Sequence, residues 1–332
     1  MMTPREIIRR HLAFDGPERI GMNFGGEGRA NDFIYGSLGP SATYTRREWV
    51  EGGFRYHDDE WGNIWYAVVG KSQGGEIHTP ALKDWAMLKD MRMPSFAAPE
   101  RFNKARETFA ADKTHYRLAG LPGFPFAICR YLRKMEVYFQ DLVLERENIN
   151  ELHERVTTLL EQVIRGYGTT GADGVFFCED WGTQERLLVS PAMWREIYKP
   201  LYRRLCRAAR ESGLHVLMHS CGYNWAIVED LAEVGVNAFQ FDQPELYGLE
   251  KLAETLQRLR VTLWSPVDIQ KIMPTGDRKL IESRAREMVR LFHGPRGGLI
   301  TKNYGDLPGI GVKPEWDGWA YDAFVKHQRG VR

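Results

Sequence analysis

The chain has 332 residues, enough to bury a large core, and α/β barrels of this size routinely form one domain. Its 45 Lys and Arg against 44 Asp and Glu leave a net charge of +1, so no field of one sign is available to hold a polyanion, which argues against nucleic acid as the main partner. No apolar run approaches the ~20 residues that span a bilayer, the opening Met1-Met2-Thr3-Pro4 lacks a signal-like apolar stretch, and four scattered cysteines make no disulfide framework. The expectation is a cytoplasmic protein without a membrane partner.

In chain order, Thr3 can cap a first helix with Pro4 at its first position and Ile7, Ile8 and Leu12 as its apolar stripe. A strand over residues 20–24 follows and breaks at Gly25-Gly26. Residues 27–112 contain Trp49, Trp61, Trp65 and Trp85, a strand over 64–69, and turn signals at Gly74-Gly75 and Thr79-Pro80. We read this stretch as an elaboration of the first barrel units, folded over the mouth. From residue 115 the rhythm is regular. Strands are expected at 116–119, 174–178, 215–219, 238–241, 261–264 and 299–301. Helices are expected at 126–144, 149–166, 191–212, 224–233, 249–259, 278–292 and 319–326. Alternating short apolar strands and helices imply a parallel sheet covered by helices. An open doubly wound sheet gives the same local pattern. The number of units and the polar residue after almost every strand favour a closed (β/α)8 TIM barrel of the α/β class, one domain over 1–332.

Those strand ends read Glu179-Asp180-Trp181-Gly182-Thr183-Gln184, His219-Ser220-Cys221-Gly222, Asp242-Gln243-Pro244-Glu245, Ser265-Pro266-Val267-Asp268 and Lys302-Asn303-Tyr304. In a parallel barrel they converge on one face, where barrel enzymes work. Helix capping accounts equally well for Asp180, Asp242 and Asp268 taken singly, but poorly for His219 and Cys221. Residues two apart at a strand end point the same way, so that imidazole and thiol can meet one ion, and both suit zinc. A buried hydrogen-bonded histidine beside a small apolar cysteine is the competing reading.

Taken together, these segments resemble the uroporphyrinogen decarboxylase superfamily. The resemblance covers most of the chain. It runs through residues 2–12 with Pro17-Glu18-Arg19-Ile20, then Asp59-Glu60-Trp61-Gly62, Leu82-Lys83-Asp84-Trp85 and residues 120–126. It continues in Glu179-Asp180-Trp181-Gly182-Thr183-Gln184, Ser190-Pro191 with Trp194, and Ser220-Cys221-Gly222. It ends in Gly235-Val236-Asn237, Gln243-Pro244-Glu245 and Asp268-Ile269-Gln270. The resemblance implies a (β/α)8 barrel of the decarboxylase and methionine-synthase type. The decarboxylases carry an Arg-Gln-Ala-Gly-Arg segment after the first strand; here that place reads Asn23-Phe24-Gly25-Gly26-Glu27-Gly28-Arg29, which weakens that activity.

The chain is more similar to the corrinoid-linked methyltransferases. They move a methyl group between a small substrate and a corrinoid protein, often with zinc on His-x-Cys and a cysteine of the last strand. The resemblance maps the first two ligands to His219 and Cys221. The third is missing, since Tyr304 stands near the cysteine's place, and Glu179 is the expected replacement. Expected roles are acid–base and positioning work for Asp180, Asp242 and Tyr304, and substrate contact for Trp61, Trp181, Gln184, Gln243 and Asn303. The implied cofactors are zinc and a corrinoid carried by a partner protein. The implied partners are a small methyl donor, that corrinoid protein and a second copy of the chain in a homodimer. The tryptophan-rich mouth favours an aromatic O-methyl substrate and O-demethylase-like chemistry. Cofactor-free decarboxylation of a smaller acid is the alternative.

Overall fold

The structure is a computed structural model, described over residues 1–70 and 75–330. Helix α1 (Pro4–Ala13) starts as its sequence dictates, with Thr3 Oγ1 accepting from the Glu6 amide at 3.2 Å. Strands β1 (Gly21–Asn23) and β2 (Phe33–Gly36) follow. A separate antiparallel sheet then forms from β3 (Glu48–Glu51), β4 (Phe54–Asp58), β5 (Ile64–Val68) and β6 (Glu76–Thr79). After α2 (Asn103–Ala111) come β7 (Tyr116–Gly120), α3 (Pro125–Arg133), α4 (Met135–Leu144) and α5 (Arg146–Gly168). The remaining units are β8 (Gly174–Cys178), α6 (Pro191–Glu211), β9 (His215–His219), α7 (Val228–Val234), β10 (Ala238–Gln240) and α8 (Leu249–Leu259). The chain closes with β11 (Thr262–Ser265), α9 (Arg278–Phe292), β12 (Leu299–Lys302) and α10 (Pro314–His327).

Among the described residues, eight parallel strands run in the order β1-β12-β11-β10-β9-β8-β7-β2, a nearly closed (β/α)8 barrel. The seam between β1 and β2 is filled by the chain itself. Residues 30–32 return antiparallel to β1, with the Asp32 amide donating to Met22 O at 2.7 Å. The buried Asp32 carboxylate accepts from the Met22 amide at 2.8 Å and from both ends of the Arg19 guanidinium at 2.7 and 2.8 Å. This unit has no helix, so strict alternation fails here.

The barrel interior is apolar. The Phe33 ring stacks on Trp264 at 5.1 Å, packed among Leu118, Leu217, Ala238 and Ile300. Ile8 and Leu12 of α1 close the amino-terminal end. A second layer between strands and helices holds residues such as Leu160, Tyr198, Leu252 and Val289. Each fully buried side chain of this size contributes about 1.5–3 kcal/mol over exposure.

Two expectations need correction. The strand expected at 64–69 exists as β5, but it belongs to the antiparallel sheet; the eighth barrel strand is β2, inside the stretch read as elaboration. The helix expected over 126–144 breaks at Lys134, whose φ of 67° ends α3 and starts α4. Of the Gly74-Gly75 turn, Gly74 lies outside the described residues. No helix among the described residues is long and apolar enough to cross a membrane.

Candidate active site at the barrel mouth

Strand parity and register decide which side chains enter the mouth. Trp264, Phe176 and Leu217 fill the barrel, so residues two and four further along the same strands face inward above them. Cys178 pairs with His219, His219 with Gln240, and Gln240 with Trp264, which makes one interior row. Asp180, Cys221, Asp242 and Lys302 stand in or next to the row above.

The loops after β8 and β9 touch through their backbones. Gly222 has φ 77°, and a Cβ there would collide with the Gly182 carbonyl. The Tyr223 amide donates to Thr183 O at 2.7 Å, and the buried Ser220 hydroxyl accepts from Trp181 N at 3.2 Å. This contact brings Asp180 and Cys221 together: the Cys221 amide donates to Asp180 Oδ1 at 2.8 Å.

His219 Nε2 lies 3.3 Å from Cys221 Sγ and 3.6 Å from Asp180 Oδ1, and all three donor atoms fall within 4.8 Å of one another. His219 Nδ1 is sealed from solvent and has no hydrogen-bond partner; Asp242 Oδ2 stands 3.9 Å from it. Asp242 is buried, and its Oδ1 accepts from Lys302 Nζ at 2.9 Å. Burial, and then the charges of Asp180 and Asp242, push the Cys221 thiol up to about 12. Burial and Asp180 push Cys178 to about 11. A cation held here reverses that balance and favours the thiolate.

The donor set fits zinc. A tetrahedral ion with ligand bonds of about 2.0–2.3 Å needs donors roughly 3.3–3.8 Å apart, as the two measured separations are. The orphaned Nδ1 with a carboxylate behind it has the form of the carboxylate–histidine pairs that orient metal-bound imidazoles. Three protein donors leave a fourth position for substrate.

The expected third ligand, Glu179, does not join this group. Parity turns it outward, where its carboxylate accepts from the Ala127 amide at 2.8 Å and from the Tyr202 hydroxyl. Burial raises Glu179 to about 7. Its neighbour Asp180, expected as a proton-handling group, is the carboxylate that stands with His219 and Cys221 instead. Trp181 is also turned away from the mouth; it is fully buried between strands and helices, stacks on Phe126 at 4.2 Å and donates to the Tyr202 hydroxyl at 2.8 Å. Gln184 sits exposed in the loop after β8.

Gln243 bridges Gln270 and the Gly222 amide, and Asn303 accepts from the Gly25 amide, so both hold loops at the rim. Tyr304 lies close enough to Asp242 and Cys221 for their charges to add to the burial that raises its hydroxyl. Trp61 packs against Phe96 in the elaborated segment. Arg29 is ion-paired with Asp317.

Three mouth residues were given no site role in the sequence reading: Cys178, Lys302 and Tyr35, the last donating to Asn23 Oδ1 at 3.0 Å. Each could have been found by counting in twos, from Asp180, Tyr304 and Phe33 respectively.

Comparison with known proteins agrees with the barrel. A methyltransferase from Methanosarcina mazei superposes with a TM-score of 0.58 at 13% identity, over 77% of this chain and 73% of that one. An endo-β-1,4-xylanase of Gloeophyllum trabeum superposes with a TM-score of only 0.42 at 12% identity, over 68% and 80% of the two chains. No curated protein matches significantly in sequence. The family model described as uroporphyrinogen decarboxylase (URO-D) matches residues 68–328, most of the chain. The chain therefore belongs to the uroporphyrinogen decarboxylase family.

Proposed function

We propose that this chain is a methyltransferase that moves a methyl group from a small aryl methyl ether to a corrinoid carried by a partner protein. The observation that carries the reading is the convergence of Asp180, His219 and Cys221 donors within 4.8 Å at the barrel mouth. These three residues would hold zinc, which supplies a Lewis acid to polarise the ether oxygen. Asp242 stands 3.9 Å behind His219 Nδ1, placed to take up that nitrogen when the ring holds a metal, and is itself ion-paired with Lys302. When the methyl group leaves as a cation equivalent for the corrinoid, both bonding electrons stay on the oxygen. The resulting aryloxide takes its proton from solvent at the open mouth, and the Tyr304 hydroxyl, held protonated by burial and the nearby negative charges, stands there to donate a hydrogen bond to it. The corrinoid would supply the methyl acceptor, and the barrel would supply orientation and electrostatics.

Cofactor-free decarboxylation of a small acid has less support. It needs a free cation for the carboxylate, whereas Lys302 and Arg29 are each paired with an aspartate. Metal analysis of protein purified without added zinc tests the proposal. About one equivalent per chain, lost in Cys221→Ala, is expected. Metal-free protein that releases CO2 from a test acid would overturn it.

A further inference from the structure

A cavity of about 710 Å³ opens at the same end of the barrel as the donor group, a size suited to a small-molecule ligand. Its floor is the carboxyl ends of β2 and β7, and its roof comes from the elaborated segment. Tyr44, Trp61, Phe96 and Leu121 make it largely apolar. One largely buried charged pair is set into the wall. Arg101 grips Glu60 with two parallel bonds of 2.6 and 2.8 Å, and Arg101 Nη1 also donates to Ser95 O at 3.1 Å. The guanidinium is buried and lies 5.1 Å over the Phe96 ring. Its outer nitrogens are thus already committed, and the other cation at the cavity, the half-exposed Arg46, is paired with Glu48 at 2.6 Å.

The cavity is also within reach of the chemistry. Gly120 lines it and pairs with Phe176, one row below Cys178 on β8. With strands ~4.8 Å apart and ~3.3 Å rise per residue, Gly120 lies roughly 8 Å from Cys178 and roughly 12 Å from His219 along the sheet. A one- or two-ring aryl ether bridges that span.

We infer that this cavity binds the aryl body of an uncharged methoxyaryl compound and discriminates against carboxylated ones. A ligand carboxylate entering here has to displace Glu60 from Arg101 or Glu48 from Arg46, or lie unpaired among aromatic rings, and a buried charge without a partner is strongly disfavoured. The inference rests on the methyl-transfer reading only for what reacts at the far end; the binding itself needs no metal.

Isothermal titration of the full chain, with metal stripped by chelator, tests it with a matched pair: 6-methoxy-2-naphthol and 6-methoxy-2-naphthoate. The naphthol is expected to bind at least tenfold more tightly. Trp61→Leu and Phe96→Leu should each weaken the naphthol about tenfold, with folding checked by circular dichroism. Glu60→Gln frees the Arg101 charge and should bring the naphthoate to at least parity. Equal or tighter naphthoate binding to the parent, no naphthol binding by folded protein, or indifference to all three substitutions would each overturn the inference. A parallel zinc titration separates the two claims. Zinc binding without naphthol binding removes the cavity inference alone, and naphthol binding without zinc removes the metal reading alone.

Discussion

Replacing Glu179 by Gln separates a ligand from a structural carboxyl at the same strand end. Glu179 is buried, with its oxygens occupied by the Ala127 amide and the Tyr202 hydroxyl, and burial raises it from 4.5 to about 7. Because the folded state holds the proton more tightly than the unfolded chain, the group's contribution to stability is fully present below pH 4.5. It is lost as pH rises through 7. At 1.36 kcal/mol per pH unit of displacement, the loss is about 3 kcal/mol. Gln keeps the shape and has no proton to lose. Urea unfolding of both proteins at pH 4.5 and pH 7.5, with metal chelated, should show the variant gaining about 3 kcal/mol on the parent between the two pH values. Zinc affinity should be unchanged. A pH-independent difference, or loss of zinc binding in the variant, would refute the outward placement of Glu179.

Asp242→Asn should weaken zinc binding about 10–100-fold by releasing the His219 ring. It should also cost about 3–5 kcal/mol by leaving Lys302 without its buried partner, and Lys302→Met in the same chain should recover most of that in a denaturant titration. Gly222→Ala, at φ 77° and against the Gly182 carbonyl, should destabilise the chain by about 2–4 kcal/mol and lower zinc affinity with it, measured by chelator competition. Cys178→Ala should keep zinc binding close to the parent, while Asp180→Asn should weaken it; the reverse order would place the third donor on the wrong residue.

Much of the barrel was legible because buried parallel strands and their helices leave a strong apolar rhythm: the helices Leu249–Leu259 and Arg278–Phe292 and the strands Gly174–Cys178 and His215–His219 match their patterns. β2 was missed because four residues without a following helix carry little signal, and because Ile64–Val68 offered a longer, equally strand-like run. Within the site, the His219–Cys221 spacing was readable since both lie on one strand. The third donor was not. It depends on where β8 stops and on parity across it, so a one-residue error exchanges Asp180 for Glu179 and reverses the side each faces. The Asp242–Lys302 pair joins residues 60 positions apart, a closeness set by barrel closure rather than by local pattern. Trp181 looked like a mouth aromatic from composition, yet it packs into the helix layer for the same reason of parity.

The most direct measurement is anaerobic spectroscopy of cob(I)alamin mixed with the zinc-loaded chain and 6-methoxy-2-naphthol. Methyl transfer predicts loss of the Co(I) absorbance with stoichiometric release of the naphthalenediol, absent in Cys221→Ala. A Co(I) spectrum that stays unchanged with folded, zinc-loaded protein and bound naphthol would contradict it.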